Sequence, residues 1–391
     1  MPNGPPSSSK TQTRHRIGLV STYPPKLCGL ATFAAALDDE LRNAGHQVDV
    51  VRIDDGDDLD VIGRPVVAEL VNGVAATIRR AATVLSRCDV VLVQHEYGIY
   101  GGTDGDEVLA LLELISVPTI VILHTVPLAP TPNQREVLTA VCRAADRVVV
   151  MADAAKQRLI AGYRVDQSKV STIPHGAAAQ LDPPLENATL TQGRAHLLTW
   201  GLLGPGKGIE HAIDALSLLG DLVHRPRYTV AGVTHPKVFQ HQGDEYRHAL
   251  MQRTWANGVA GQVTFDDTYR DVPALTRFVG TASVVVLPYD SREQVTSGVL
   301  VDAIAAGRPV IATAFPHAVE LLSGGAGIVV PHADPVALAD AIRMVVCDAE
   351  VLDTMAAEAR RLAPSLRWSS VAEQYVRLTG ALLLAIEPIA I

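Results

Sequence analysis

The segment from Pro288 to Pro331 limits most strongly what this chain can fold into. It follows the run Ser283–Leu287, whose apolar and β-branched residues are typical of a buried strand. Ser297 and Gly298 then open an Ala-rich apolar segment, Val299–Ala306, which ends at a glycine and is followed by a second apolar run. The order strand, loop, helix, strand predicts one parallel βαβ unit.

The start of this predicted helix suits an anion. The first amides of a helix lack intrahelical partners, and a glycine lets a ligand approach them, so Ser297 and Gly298 are candidates to bind a diphosphate. Asp302 lies about one turn further on, where a carboxylate can accept hydrogen bonds from sugar hydroxyls. The residues alone leave open the alternative that Ser297 is only an N-cap and Asp302 a solvated helix residue.

Length, charge and cysteine content narrow the class of protein. A chain of 391 residues predicts two or three domains, and a net charge of −9 argues against a nucleic-acid partner. The four cysteines are widely separated, which is typical of a reducing cytoplasm. Residues 1–14 are polar and rich in Pro and Ser, and we expect a disordered tail. No apolar run approaches the roughly 18 residues of a membrane span.

An acidic run is the only sequence pattern that suggests a metal. Residues 54–60 read DDGDDLD, and an Asp-x-Asp pair can bind a metal ion through oxygen ligands. Acidic runs in loops are mostly solvated, so we reject this interpretation and predict that the site uses no metal.

Two predicted strands of the N-terminal half end in histidine. A predicted helix, Val71–Ser86, precedes the strand Asp89–Gln94, which is followed by His95 and Glu96. A second strand, residues 118–123, is followed by His124. Parallel strands bind ligands at their carboxyl ends, so these side chains are candidates for a site, with acceptor binding or a general base as the role of His95 and Glu96. The alternative is that each is a satisfied polar group at a strand end.

A glycine-rich loop opens the C-terminal half. The strand His196–Trp200 is followed by GLLGPGKG, which formally fits the ATPase phosphate loop up to Lys207. Gly208 stands where that motif needs Ser or Thr to hold magnesium, so the ATPase interpretation loses its metal. Glycines on both sides of Lys207 still favour a phosphate contact over the alternative, a surface lysine at a helix cap.

Several of these segments together resemble the retaining glycosyltransferase family 4 (glycosyl transferases group 1). SGVLVDAIAAGRPVIAT followed by Glu320 resembles its nucleotide-sugar segment, Lys207-Gly208 the end of its G-R-L-x-x-x-K-G segment, and YPP followed by Gly29 its N-terminal start. The resemblance covers nearly the whole chain. It implies an α/β protein of GT-B fold, in which two doubly wound Rossmann-like domains face a central cleft.

The resemblance also implies domain limits. The acceptor-side domain would cover residues 15–178 together with a C-terminal helix, 370–388. Residues 179–194 would be a linker, and 195–369 the nucleotide-sugar domain. Pro183-Pro184 and the lack of periodicity agree with a linker.

Residue roles follow from the same resemblance. Lys207 would neutralise the leaving diphosphate, while His124 and Glu320 would position the transferred sugar. Gly29 would meet the donor phosphates or the acceptor. The segment Phe315–Glu320 replaces the usual glycine pair, and His317 within it would face the donor sugar or phosphate. Gln294 and Asp302 align with the first and second acidic positions of the family, and Leu202 with its usual arginine.

The implied function is transfer of a hexose, mannose or glucose, from a nucleotide-diphosphate sugar to a glycan, small-molecule or lipid-linked acceptor. Transfer would retain configuration and need no cofactor or metal. The implied protein is cytoplasmic, without a transmembrane segment, and compatible with peripheral membrane contact. Two alternatives stay open: a phosphorylase that forms sugar 1-phosphate on the same fold, and a non-catalytic sugar-binding protein.

Overall fold

The computed structural model describes residues 14–26, 28–56, 65–178, 194–268 and 270–386. The predicted tail and linker lie outside the described residues, apart from Arg14 and Arg194, and so do residues 57–60 of the acidic run.

A sheet of seven strands forms from the N-terminal part of the chain. The strands are β1 (Arg16–Ser21), β2 (Gln47–Asp54), β3 (Val66–Val71), β4 (Val90–His95), β5 (Thr119–Leu123), β6 (Arg147–Val150) and β7 (Val170–Thr172). Their order in the sheet is β3-β2-β1-β4-β5-β6-β7, and β1 pairs in parallel with β2 and β4. The helices between them are α1 (Gly29–Asn43), α2 (Ala75–Leu85), α3 (Glu107–Leu114), α4 (Pro132–Ala144) and α5 (Asp153–Tyr163).

A second sheet of six strands follows. Its strands are β8 (His196–Trp200), β9 (Arg227–Ala231), β10 (Val263–Asp266), β11 (Val284–Leu287), β12 (Val310–Thr313) and β13 (Gly327–Val330). Their order is β10-β9-β8-β11-β12-β13, with all neighbours parallel. The helices are α6 (Ile209–Ser217), α7 (Pro236–Gln242), α8 (Glu245–Ala256), α9 (Val272–Gly280), α10 (Gly298–Ala305), α11 (Pro316–Leu321), α12 (Pro335–Cys347), α13 (Ala349–Leu366) and α14 (Trp368–Ile386).

The second sheet is buried on both faces, as the apolar run of β11 predicts. Val285 and Leu287 pack into one hydrophobic cluster, and Val284 and Val286 pack into another. Successive side chains of a strand point to opposite faces, so helices cover both faces of this sheet. The strand order reverses between β8 and β11, and ligands bind outside the carboxyl ends of strands at such a switch point.

Backbone contacts divide the chain into two compact units. The first comprises the described residues up to Ile122, Pro132–Val148, and those from Tyr375 onward. The second comprises Leu123–Thr131 and Val149–Gln374. The division thus groups residues 149–178 with the second unit, whereas the sequence analysis places them in the first domain. Among the described helices, none combines the length and apolarity needed to cross a membrane.

One element was predicted wrongly. The helix predicted for Val71–Ser86 begins only at Ala75, and Val66–Val71 forms the strand β3. Burial alternates along β3 with the two-residue period of a strand, which the two consecutive valines at its start obscure in the sequence.

Candidate active site

Two loops that follow the adjacent strands β8 and β11 pack against each other in the second unit. Gly208 caps α6 with a φ of +61°, and a Cβ at this position would overlap the carbonyl oxygen of Pro288. The amide of Asp290 donates to the carbonyl of Gly206 at 3.0 Å. Gly208 is therefore required twice, for its backbone conformation and for this close approach.

This packing places Lys207 over an aromatic ring. Its Nζ lies 4.6 Å from the centroid of the Tyr289 ring. Burial lowers the pKa of Lys207, and among the described residues no carboxylate lies within ion-pair distance of its ammonium. A partly desolvated cation without a counter-ion is a strong binding group for an anion.

The start of α10 lies next to the same tyrosine. Ser297 caps the helix, because its Oγ accepts from the amide of Leu300 at 3.3 Å. Burial raises the pKa of Tyr289, and the neighbouring Ser297 side chain lowers it. Within the described part of the chain, the amides of Gly298 and Val299 have no hydrogen-bond partner. The Tyr289 ring thus lies beneath Lys207, and its hydroxyl, which lies beside the Ser297 side chain, has no hydrogen-bond partner among the described residues.

Two neutral histidines flank this helix start. The amide of Ser297 donates to Nδ1 of His317 at 2.9 Å, so the His317 proton lies on Nε2. His175 donates from Nδ1 to the carbonyl of Gly176 at 2.6 Å, and a Cβ at Gly298 would lie 3.1 Å from its Nε2. Burial lowers the pKa of both rings to about 4, and for His317 the nearby His175 adds to the effect.

Asp302 lies on α10 about one turn beyond Gly298. Burial raises its pKa from 3.8 to about 7. Its carboxylate has no hydrogen-bond partner among the described residues. Asp302 is half-buried, and a partly exposed acceptor without a partner is suited to the hydroxyls of a ribose.

A cavity of about 330 Å³ opens within the second unit. It brings His124 together with Gln294, and the Nε2 of Gln294 donates to the carbonyl of Thr296 at 3.0 Å. Glu293, one residue away from the aligned acidic position, accepts from the amide of Leu128 at 3.0 Å. The lining residues are His124, Thr125, Val126, Pro127, Ser291, Glu293, Gln294, Val295 and Thr296.

Glu320 lies at the N-terminus of α5. Its two carboxylate oxygens accept from the amides of Asp153 and Ala154, each at 2.9 Å. Both amides belong to the first turn of an 11-residue helix, where an anionic cap is favourable. No pattern in the sequence predicts this contact.

The acceptor-side candidates lie in the first unit. His95 ends β4 fully buried, burial lowers its pKa to about 4, and both of its ring nitrogens lack partners among the described residues. The carboxylate of Glu96 accepts from the amide of Tyr97 at 3.1 Å. Gly29 begins α1, and a Cβ there would meet nothing within 4 Å. No sequence pattern predicts a role for the neighbouring Cys28, whose Sγ accepts from the amide of Ala31 and so caps α1.

One group in the described part of the chain has the spacing of metal ligands. Glu210, His211 and Asp290 have ligand atoms within 4.8 Å of one another. His211 and Asp290 already form a 3.1 Å pair, and Glu210 accepts from the hydroxyl of Tyr246 at 2.8 Å. These contacts account for all three side chains, so we assign no metal to them, and metal independence stays a prediction.

Comparison with known proteins identifies the family to which both halves of the chain are similar. Residues 28–180 match the family model described as glycosyltransferase family 4, and residues 194–348 match glycosyl transferases group 1. The chain is 28% identical over 228 residues to the D-inositol 3-phosphate glycosyltransferase of Jonesia denitrificans, covering 54% of this chain and 51% of that protein. It is 29% identical over 248 residues to the protein of the same name from Nocardioides sp., covering 60% and 53%. The chain thus spans about half the length of these curated relatives.

Solved structures show the fold. The structure of Anabaena HepE in complex with UDP has a TM-score of 0.76 at 17% identity, covering 94% of this chain and 100% of that one. Sucrose-phosphate synthase from Thermosynechococcus elongatus has a TM-score of 0.73 at 19% identity, covering 95% and 100%. The two parallel sheets with alternating helices therefore form a GT-B fold with two Rossmann-like domains, which confirms the prediction. The chain belongs to glycosyltransferase family 4, the glycosyl transferases group 1.

Proposed function

We propose that this protein transfers a hexose from a nucleotide-diphosphate sugar to a hydroxyl-bearing acceptor. The observation that carries the proposal is the position of Tyr289, whose ring lies beneath Lys207 and whose hydroxyl lies beside Ser297, the residue that caps α10. An unpaired cation and two amides without partners thereby converge on one place, which is what the two phosphates of a leaving nucleotide require.

We assign the donor as follows. The Lys207 ammonium and the amides of Gly298 and Val299 bind the diphosphate, and Asp302 accepts from the ribose. Ser297 acts through its side chain as the helix cap, because its amide is already bound to His317. The Nε2 of His317 carries a proton and donates to a phosphate or sugar oxygen.

We assign the sugar to the cavity that His124 and Gln294 line. Glu320 supports this region through the N-terminus of α5, and its remaining lone pairs are available to a sugar hydroxyl. Gly29, His95 and Glu96 bind the acceptor on the first unit. The acceptor attacks the anomeric carbon with retention of configuration, its proton passes to the departing phosphate, and the reaction needs no metal. A cytoplasmic location stays a prediction.

Names of related proteins guide the choice of substrates. HepE structures carry UDP, UDP with glucose, or UDP-glucose, and the curated relatives are named D-inositol 3-phosphate glycosyltransferase. We therefore propose glucose or mannose as the sugar, UDP or GDP as the carrier, and a polyol, glycan or lipid-linked saccharide as the acceptor.

The test is release of nucleoside diphosphate from a panel of UDP- and GDP-hexoses, with candidate acceptors. We expect Lys207→Ala and Asp302→Ala each to lower kcat/KM by more than about tenfold while the fold is retained. Lys237→Ala, at an exposed lysine of α7, is the matched control and should change nothing. Unaltered kinetics in both site variants would refute the assignment.

Release of nucleoside diphosphate separates a transferase from both alternatives, and phosphate-dependent cleavage of disaccharides separates the two alternatives from each other. Gln294 and Leu202 stand where the family has charged residues, which favours a phosphorylase as the second candidate. A phosphorylase forms sugar 1-phosphate from a disaccharide and inorganic phosphate and releases no nucleotide. A sugar-binding protein does neither.

A further inference from the structure

The partner of Lys207 in the free protein is a ring and not a carboxylate. A half-buried lysine is usually paired with an acid, which would also neutralise it. Among the described residues, Lys207 instead lies 4.6 Å above the centroid of Tyr289. The ring face attracts the ammonium while adding no net negative charge.

The Tyr289 ring is fixed from several directions. It is 2% exposed and stacks on Phe315 with centroids 5.4 Å apart. Its backbone carbonyl accepts from Thr313 Oγ1 at 2.6 Å and from His332 Nδ1 at 2.9 Å. A ring held in this way gives the flexible lysine side chain a defined place to rest.

We propose that Tyr289 is a positioning residue for the donor diphosphate, acting through its ring face on Lys207. The inference rests on the proposed function. The ring holds the ammonium beside the start of α10 and leaves its charge available, so the incoming diphosphate meets a preorganised cation with no competing carboxylate. The phenolic hydroxyl is not needed for this role.

Two substitutions separate the ring from the hydroxyl. Tyr289→Phe keeps the aromatic face, and Tyr289→Leu removes it. We expect the dissociation constants for UDP and GDP to stay within about twofold of wild type in Tyr289→Phe and to rise about 3- to 30-fold in Tyr289→Leu. Tyr228→Leu removes another buried tyrosine ring from the same unit and controls for loss of core volume, with wild-type affinity expected.

A double-mutant cycle distinguishes positioning from a general structural effect. In a Lys207→Ala background, Tyr289→Leu should cause no further loss of nucleotide affinity. An equal loss in both backgrounds, or wild-type affinity in Tyr289→Leu alone, would overturn the inference.

A readout without ligand keeps this inference distinct from the proposed function. Acetylation of Lys207, followed by peptide mass spectrometry, should be about 3- to 30-fold faster in Tyr289→Leu than in wild type and unchanged in Tyr289→Phe. Unchanged labelling in Tyr289→Leu overturns the inference. If labelling is faster in Tyr289→Leu but the wild-type protein binds no nucleotide, the proposed function is refuted and the Lys207–Tyr289 contact remains supported.

Discussion

His317 accepts a 2.9 Å hydrogen bond from the amide of Ser297, and this bond determines which imidazole nitrogen carries the proton. The residue that caps α10 and a residue of the segment that replaces the family's glycine pair are thus joined directly. The proposed donor site therefore contains a neutral imidazole whose Nδ1 is already bonded to the backbone.

Two substitutions of His317 distinguish the roles of its two ring nitrogens. His317→Ala leaves a buried amide without an acceptor and should lower the free energy of unfolding by about 1–3 kcal/mol. His317→Asn, whose Oδ1 replaces Nδ1, should recover most of this stability while kcat/KM stays low, because the Nε2 donor is absent. Thermal melts measure the stability of both variants, and transfer kinetics measure their kcat/KM. Wild-type activity in His317→Asn would show that Nε2 has no role.

Asp302→Asn should stabilise the free protein while weakening nucleotide binding. The pKa of Asp302 is about 7 in the folded protein against an ordinary 3.8, so the folded state binds the extra proton between these values. The free energy of unfolding of the wild type therefore falls as pH rises from about 4 to 7.

Substitution by asparagine removes this pH-dependent loss of stability, because asparagine has no carboxyl group to titrate. The melting temperature of Asp302→Asn should exceed that of wild type near pH 8, by about 2–4 °C for each kcal/mol, and the difference should vanish near pH 4. A pH-independent difference between the two melting temperatures would contradict the raised pKa of Asp302.

Glu320→Ala should destabilise the protein by about 0.5–2 kcal/mol, because two amides of the first turn of α5 lose their acceptor. Glu136→Ala, an exposed glutamate of α4, is the control and should be close to neutral. Denaturant melts of both variants decide the matter. Equal destabilisation by the two substitutions would show that Glu320 does not stabilise α5 as a cap.

Gly208→Ala should abolish nucleotide binding and lower stability by more than Gly206→Ala. Both glycines have positive φ, +61° and +89°, so both substitutions strain the backbone. Only at position 208 would the added Cβ also overlap the carbonyl of Pro288, whereas position 206 is open. Comparable melting temperatures and affinities in the two variants would show that the loops after β8 and β11 can move apart without loss of stability or nucleotide binding.

The sequence predicts the donor elements because the chemistry there is local. Lys207 and Ser297 lie next to glycines just before the helices α6 and α10, and Asp302 lies one helical turn beyond Ser297, so these positions can be found without coordinates. Tyr289 lies two residues beyond β11, yet its proposed role depends on its ring lying beneath a lysine from the loop after β8. A pattern of neighbouring residues in the sequence cannot predict such a contact between distant parts of the chain.

The same limit explains the other surprises. The Ser297–His317 bond and the cap that Glu320 provides to α5 join residues far apart in the chain, and each depends on side-chain direction as well as position. The strand β3 was missed for a different reason, since its two-residue alternation is only six residues long and adjoins a segment of helical periodicity.

The strands β8 and β11 are neighbours in the sheet, with Leu198 opposite Val285, although Lys207 and Tyr289 lie far apart in the chain. The pair therefore exists only once the sheet has assembled, and no partly folded species can present it. Bound nucleotide would stabilise the entire second unit by mass action, so that resistance to proteolysis throughout the unit increases with ligand concentration.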